Sequence, residues 1–271
     1  MFTSISKIID LFNKSDINIE KNQKKILKFT VNASIAIQII TGIITMGAVF
    51  LKLAPKDMIL HDIIVMETVV QFIELAFYII ISFYLIKISV AGVTPLRYFD
   101  WVLTTPTMLL STIMFFDYKN KEDKNTKEDK NIQEEKNIQE EKTGETGNNR
   151  FLNFVKKNKE IIIKIVIFNF LMLLSGYLGE IGKINIYLAN VVGFCFFGLV
   201  FYTIWINYLK NSDVAINHQL FYFMFIVWGL YGVAALASPL LKNIGYNFLD
   251  IVAKNFYGLF IFYQMYLTRI Q

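Results

Sequence analysis

The stretch NFLDIVAKNFYGLFIFYQMYL, Asn247 to Leu267, is apolar and long enough to cross a bilayer, yet it holds Lys254 in its interior. A lysine at that depth costs roughly 2.5–3.5 kcal/mol on insertion scales, so it needs a partner or a task. Asp250 stands four residues earlier, one helical turn away on the same face. A buried ion pair would satisfy both residues. A second cluster, Arg97-Tyr98-Phe99-Asp100-Trp101, opens another apolar run. Two charged clusters inside membrane segments are hard to explain as packing, and together they point to a site for a cationic, covalently bound chromophore.

Composition agrees with a membrane setting. Hydrophobic residues make up 55% of the chain and aromatics 15%, with a mean hydropathy of +0.45. A soluble domain of this length is less apolar. Nearly half of the 27 basic and 22 acidic residues lie between Asp117 and Lys164, as one polar insertion. A sequence pI near 9.0 is a weak pointer to nucleic acid here, because the lysines flank apolar segments or sit in that insertion; no nucleic-acid partner is expected. The single cysteine, Cys195, excludes an intrachain disulfide. No cleavable signal peptide is evident, since the first long apolar run starts near Phe29 after a lysine-rich lead.

Counting runs of about 20 apolar residues, enough for a helix to span roughly 30 Å of hydrocarbon, gives seven segments. They lie near Phe29–Leu51, Ile63–Ile86, Ala91–Phe116, Glu160–Leu178, Ile184–Tyr208, Leu220–Leu241 and Asn247–Thr268. Helices are the physical default, because lipid satisfies no backbone polar group. The runs do not alternate, which excludes a β-barrel. The expected fold is all-α, a seven-transmembrane-helix bundle over residues 29–271. Residues 1–28 form a leader in which Phe2, Ile5, Ile8, Ile9 and Phe12 make a short amphipathic face, either an interfacial helix or one packed over loop ends. Residues 117–158, with near-repeats such as KEDKNTKEDKNIQEEKNIQEEK, read as a solvated, flexible or loosely helical linker between the third and fourth helices. Basic residues leave orientation open: that loop is rich in them, but so is the leader, at Lys21, Lys24, Lys25 and Lys28, on the opposite side.

On the third helix, Arg97, Asp100, Thr104 and Ser111 follow at spacings of three, four and seven, which puts them on one inward face. Asp250 and Lys254 share a face of the seventh. Two carboxylates, one arginine and one lysine would balance a protonated imine formed by Lys254 with an aldehyde. Trp101, Trp228 and Tyr231 offer flat walls for a long polyene, although aromatics alone would read as ordinary packing.

RYFDWVLTTP (Arg97–Pro106), WGLY (Trp228–Tyr231) and LDIVAK (Leu249–Lys254) resemble the third, sixth and seventh helix signatures of microbial, type 1 rhodopsins. The resemblance spans all seven helices and omits the leader and charged loop. VQFIELAFY (Val70–Tyr78) is similar to the viral, giant-virus group within that family. The resemblance implies all-trans retinal on Lys254, with Asp100 and Asp250 as counterions and Asp100 as first proton acceptor. Arg97 would couple the Schiff base to proton release on the extracellular side. Trp101, Trp228 and Tyr231 would clamp the polyene, with Tyr98, Thr105 and Met108 as further pocket residues; the apolar Met108 implies green rather than blue absorption. The family's orientation places the N-terminus outside and the charged loop and C-terminus inside. It also implies a homo-oligomer in a lipid bilayer, in a host-cell membrane if the chain is viral. The chain departs from the family at Ser111, where efficient proton pumps carry a carboxylate, so reprotonation must come from solvent or another acid. Gly232 stands where proline is common and Ala235 where an aromatic often sits, which implies a looser pocket near the ring end, with room for a side opening or a lipid.

Two transport modes follow, and neither is an enzyme activity. Asp100 with Thr104 beside it favours an outward proton pump. A polar stripe on the second helix, Glu67, Gln71, Glu74 and Tyr78, favours a light-gated channel for small cations along that face. Glu74 also reads as a protonated acid bonded to a neighbouring helix. A sensory photoreceptor acting through a separate membrane partner, and a seven-helix transporter without a chromophore, are further readings.

Overall fold

The computed structural model describes residues 2–132 and 147–269, with side chains described from residue 18 and outside 126–149. Nine α-helices occur among them. They are α1 (Phe2–Ala48), α2 (Ile59–Tyr84), α3 (Thr94–Ile132), α4 (Gly147–Lys157), α5 (Lys159–Glu180), α6 (Ile186–Ile204), α7 (Ala215–Ala234), α8 (Pro239–Asp250) and α9 (Phe256–Thr268). Two π turns extend the order, Trp205–Leu209 after α6 and Ile251–Asn255 between α8 and α9. The second joins α8 and α9 into one crossing.

Seven crossings form a closed ring. Neighbours in sequence pack together, α3 meets α5 across the loop, and α8 and α9 return to α1. Five helical stretches are long and apolar enough to cross a membrane by length and composition: Asn18–Ala48, Pro55–Tyr84, Ala91–Asn125, Lys159–Glu180 and Ile186–Leu209. The sixth and seventh crossings, α7 and α8–α9, complete the ring but are more polar, with Asn217, His218 and Gln219 on one and Lys242, Asp250 and Lys254 on the other. Their polar residues face inward or lie near the ends, which is where a membrane helix tolerates them. α3 is the most enclosed of the five, 61% buried over its apolar window against 22% for α5. The helix with the charged motif is therefore at the centre.

The helix boundaries differ from the expected ones at three places. The sixth crossing runs from Ala215 to Ala234 rather than Leu220 to Leu241, and the seventh opens at Pro239 rather than Asn247, so Pro239 starts a helix instead of lying inside one. The other two are the leader and the charged insertion. α1 runs without a break from Phe2, so the backbone of the leader continues the first crossing; the amphipathic face at Phe2 to Phe12 lies outside the described side chains. α3 continues past the apolar run to Ile132, and α4 precedes the fourth crossing, so the described parts of the charged insertion are helical. Phe151 and Phe154 of α4 pack into the core cluster while Lys156 and Lys157 are exposed, which accounts for that short helix docking on the bundle end. Pro106 lies inside α3 without ending it, and Thr105 and Thr107 back-bond to Trp101 and Leu103 carbonyls around it.

Candidate functional site

The site is built where α3 meets the π turn of the seventh crossing. Such turns widen a helix by one residue and re-aim its side chains, and they recur at functional positions. Here the widened turn carries Lys254, which is 2% exposed. Its Nζ donates to Asp100 Oδ2 at 2.6 Å and lies 3.6 Å from Asp250 Oδ1 and 4.0 Å from Glu74 Oε1. Three carboxyl groups thus surround the amine, where the sequence reading supplied two. Glu74, which the sequence groups with a path along α2, also stands beside Lys254, so Lys254 and Arg97 share the site with three acids, Asp100, Asp250 and Glu74.

Asp250 is held tightly. Its Oδ2 accepts from the Tyr78 hydroxyl at 2.7 Å and from Arg97 Nη1 at 3.3 Å. Its Oδ1 accepts from the Tyr231 hydroxyl at 2.8 Å and from Trp101 Nε1 at 3.3 Å. Arg97, fully enclosed, also donates to Tyr78 at 3.1 Å, to Asn243 Oδ1 at 3.1 Å and to Asn247. Asn243 and Asn247 are partners that sequence reasoning missed; their positions seven and three residues before Asp250, on the same helix face, were the available signal. Asp100 differs from Asp250: its Oδ1 has no hydrogen-bond partner among the described residues. Thr104 bonds the Asp100 backbone carbonyl at 3.0 Å rather than its carboxylate.

Lys254 also lines one end of a mostly apolar cavity of about 800 Å³, counting its open mouth. Tyr98, Trp101, Thr105, Met108, Trp228 and Tyr231, all anticipated from sequence, line it. Trp101 anchors the wall, edge-on to Tyr231 at 5.4 Å and to Tyr246 at 5.0 Å between ring centroids. Thr105 accepts from Asn169 Nδ2 at 2.8 Å. Most of the residues that sequence reasoning missed come from α5 and α6, among them Gly176, Asn190, Gly193, Phe194 and Phe197; Tyr246 of α8 and Ala253 are others. Near-uniform apolar composition in those helices left no signal for which side faces inward. At Gly232 the expected looseness is taken up: an added Cβ would lie 2.5 Å from the Phe194 ring, and Asn190 Nδ2 bonds the Gly232 carbonyl at 2.7 Å. The cavity as a whole suits a long, flat apolar group ending at an amine.

The α2 stripe is entirely inside. Glu67, Gln71, Glu74 and Tyr78 are each at most 2% exposed, and Gln38, Thr41 and Thr45 of α1 are buried too. Thr45 donates to Gln71, Thr41 to Asn255, and Asn255 Nδ2 to Glu74 at 3.5 Å. Both polar atoms of Gln38, with Gln71 Nε2, Glu74 Oε1 and Glu67 Oε2, find no hydrogen-bond partner among the described residues. Ser111 sits with Glu67, to whose carboxyl its hydroxyl donates, away from Asp100.

The model of bacteriorhodopsin-like proteins matches residues 29–267. The chain belongs to the bacteriorhodopsin-like family. It is accordingly an integral membrane protein and not an enzyme. Among solved structures, viral rhodopsin OLPVRII is 26% identical with a TM-score of 0.69, covering 89% of this chain and 98% of its own. The rhodopsin of Exiguobacterium sibiricum is 17% identical, TM-score 0.65, over 91% and 98% of the two chains. Xanthorhodopsin, described as a light-driven ion pump with dual chromophore, is 15% identical, TM-score 0.64, over 92% and 95%. The last two likenesses are of fold. No curated protein matches the chain.

Proposed function

We propose that the chain is a retinal-binding, light-driven outward proton pump in which Asp100 takes the proton. The observation that carries this reading is the 2.6 Å contact between Lys254 Nζ and Asp100 Oδ2 at the end of an aromatic cavity. All-trans retinal, held by Lys254 Nζ, would supply the light absorption and the photoisomerisation. The residues fit that group: a buried primary amine, flat walls from Trp101, Trp228 and Tyr231, and little polar lining.

Before light, Asp100 and Asp250 stabilise positive charge at the Lys254 nitrogen, worth far more in this buried site than in water. Asp100 Oδ2 is the nearest base, and its Oδ1 is uncommitted, so it is the acceptor. Asp250, already holding Tyr78, Tyr231, Trp101 and Arg97, keeps its charge and its position. Once Asp100 is neutral, Arg97 loses one of the negative charges that face it and swings the balance toward proton release at its own end of the bundle. We infer the family orientation, N-terminus outside and charged loop inside, which makes release outward, and an assembly of several copies. Under voltage clamp, the photocurrent is expected to keep its outward sign across ordinary membrane potentials. A current that reverses and shifts with external sodium would reject the pump.

A cation channel is the second reading, favoured by the row of uncommitted polar atoms from Gln38 to Glu74 between α1 and α2. Intramembrane polar groups of this kind line water paths. In a pump, Glu74→Gln should shift the absorption band by replacing an acid 4.0 Å from Lys254 while leaving the current direction intact. In a channel, the same change should alter conductance and ion preference strongly. Photocurrent recordings of the variant decide between them.

A further inference from the structure

We propose that a slot between α2, α3 and α4, at the charged-loop end of the bundle, binds an anionic phospholipid. Its phosphate sits among Lys56, Arg150 and Lys157, and one acyl chain lies in the groove beneath. The inference needs only a membrane-spanning chain and stands apart from the retinal-pump reading. Two cavities meet here, and neither shares a residue with the cavity at Lys254. One is polar, about 1340 Å³ counting its open mouth, and the other is an apolar groove of about 670 Å³.

Helical spacing makes them one slot. Along α3, Pro106, Leu110 and Ile113 line the groove, while Asp117 and Lys121 line the polar cavity. Steps of four, three, four and four residues keep all five on one helix face. On α2, Met66 lines the groove and Ile59 the polar cavity; between them Asp62 lies 4.0 Å from Arg150 Nε. α4 closes the slot, with Phe151 on the groove and Arg150, Asn153 and Lys157 on the polar cavity. Ile162 and Ile165 of α5 complete the apolar wall. Such a surface, apolar for two turns and then charged, matches one acyl chain beneath a headgroup. From Pro106 to Ile113 is about 10 Å along the axis, room for the upper part of a chain.

Charge selects the headgroup. Three acids line the polar cavity, and each already has a donor. The Tyr118 hydroxyl donates to Asp57 at 2.8 Å, Lys121 pairs with Asp117 at 2.7 Å and Lys119 with Glu122 at 2.8 Å. Lys56 and Lys157 are exposed and have no ion-pair partner among the described residues. With Arg150 beside its loosely placed Asp62, the surplus at the head of the groove is cationic. Basic pockets between membrane helices attract anionic headgroups, and the planar fork of an arginine fits phosphate oxygens. A zwitterionic headgroup brings its own cation among the same lysines and gains less. The amphipathic α4, held by Phe151 and Phe154 in the core cluster, fixes Arg150 and Lys157 at the interface.

The test extracts the full chain from vesicles of equal phosphatidylglycerol and phosphatidylcholine and identifies the retained phospholipid by native mass spectrometry. The parent should retain phosphatidylglycerol over phosphatidylcholine by about tenfold or more. Lys56→Gln, Arg150→Gln and Lys157→Gln in one chain should bring that ratio close to one. Lys21→Gln, Lys25→Gln and Lys28→Gln, at the opposite end of the bundle, should keep the parent ratio. Leu110→Trp fills the groove, leaves the charges and should abolish retention. Equal retention of both lipids by the parent overturns the site. So does an equal loss of preference in the two triple variants, because general charge attraction would then explain it. Retention by Leu110→Trp at the parent level, or displacement of the lipid by inorganic phosphate, would mean that the cavity takes a soluble anion and would overturn the lipid assignment. Circular dichroism reports whether each variant folds. Should the site triple lose helicity, Lys56→Gln with Lys157→Gln, both exposed side chains, carries the same test, and a parent ratio in that double variant rejects the site.

Discussion

Replacing Lys254 with alanine is expected to abolish the visible absorption band and all photocurrent, with no residual activity. The imine needs a primary amine, and Lys254 supplies one at the cavity, 2% exposed. The change also leaves Asp100, Asp250 and Glu74 facing one another with only Arg97 to compensate. Removing one partner of a buried charged group costs about 3–5 kcal/mol, so a lower melting temperature accompanies the loss. Lys254→Arg separates the two effects: it keeps a cation beside the carboxylates but offers no amine for an imine. It should fold with helicity close to the parent's and still show no band after incubation with all-trans retinal. A band that survives Lys254→Ala would remove the basis of the functional reading.

Asp100→Asn should move the band to longer wavelength and reduce outward proton transport by at least about tenfold, which corresponds to roughly 1.4 kcal/mol in the rate-limiting barrier. The red shift follows from electrostatics. A carboxylate 2.6 Å from the nitrogen stabilises the ground state, in which positive charge is concentrated there, more than the excited state. The loss of transport follows from geometry, since the next carboxylate oxygen, on Asp250, lies 3.6 Å away and its group is already engaged by four donors. Asp250→Asn should behave differently. It retains the acceptor but weakens the partners of Tyr78, Tyr231, Trp101 and Arg97, so stability should fall more than transport. Absorption spectra with pH changes in illuminated vesicles measure both variants. Equal transport by Asp100→Asn and the parent chain would reject Asp100 as the acceptor.

Much of this was open to reading along the chain, for identifiable reasons. The apolar runs report the crossings because a bilayer imposes one length and one backbone solution on any helix that spans it. Arg97, Asp100, Thr104 and Ser111 are legible as one inward face because helical spacing relates residues of the same helix. Lys254 and Asp250 are legible for the same reason. The two ends of the charged loop were less readable: α3 persists to Ile132 and α4 forms before Lys159, since charge-rich repeats hold no apolar pattern that marks where a helix stops.

Relations between helices lay beyond that reading. Glu67 and Ser111 are 44 positions apart in sequence, and Lys254 and Asp100 are 154 apart. Spacing within one helix carries no information on its axial offset or its rotation against a neighbour. A shift of one residue moves a side chain about 1.5 Å along the axis and roughly 100° around it, enough to part either pair. The same ignorance hid the cavity wall of Gly176, Gly193 and Phe194, on helices apolar nearly all round. The sequence by itself determined a seven-helix membrane bundle with a lysine and its counter-charges turned inward. Only the tertiary structure decided that a third carboxyl, Glu74, joins them and that Glu67 meets Ser111, because packing alone sets the register of one helix against the next.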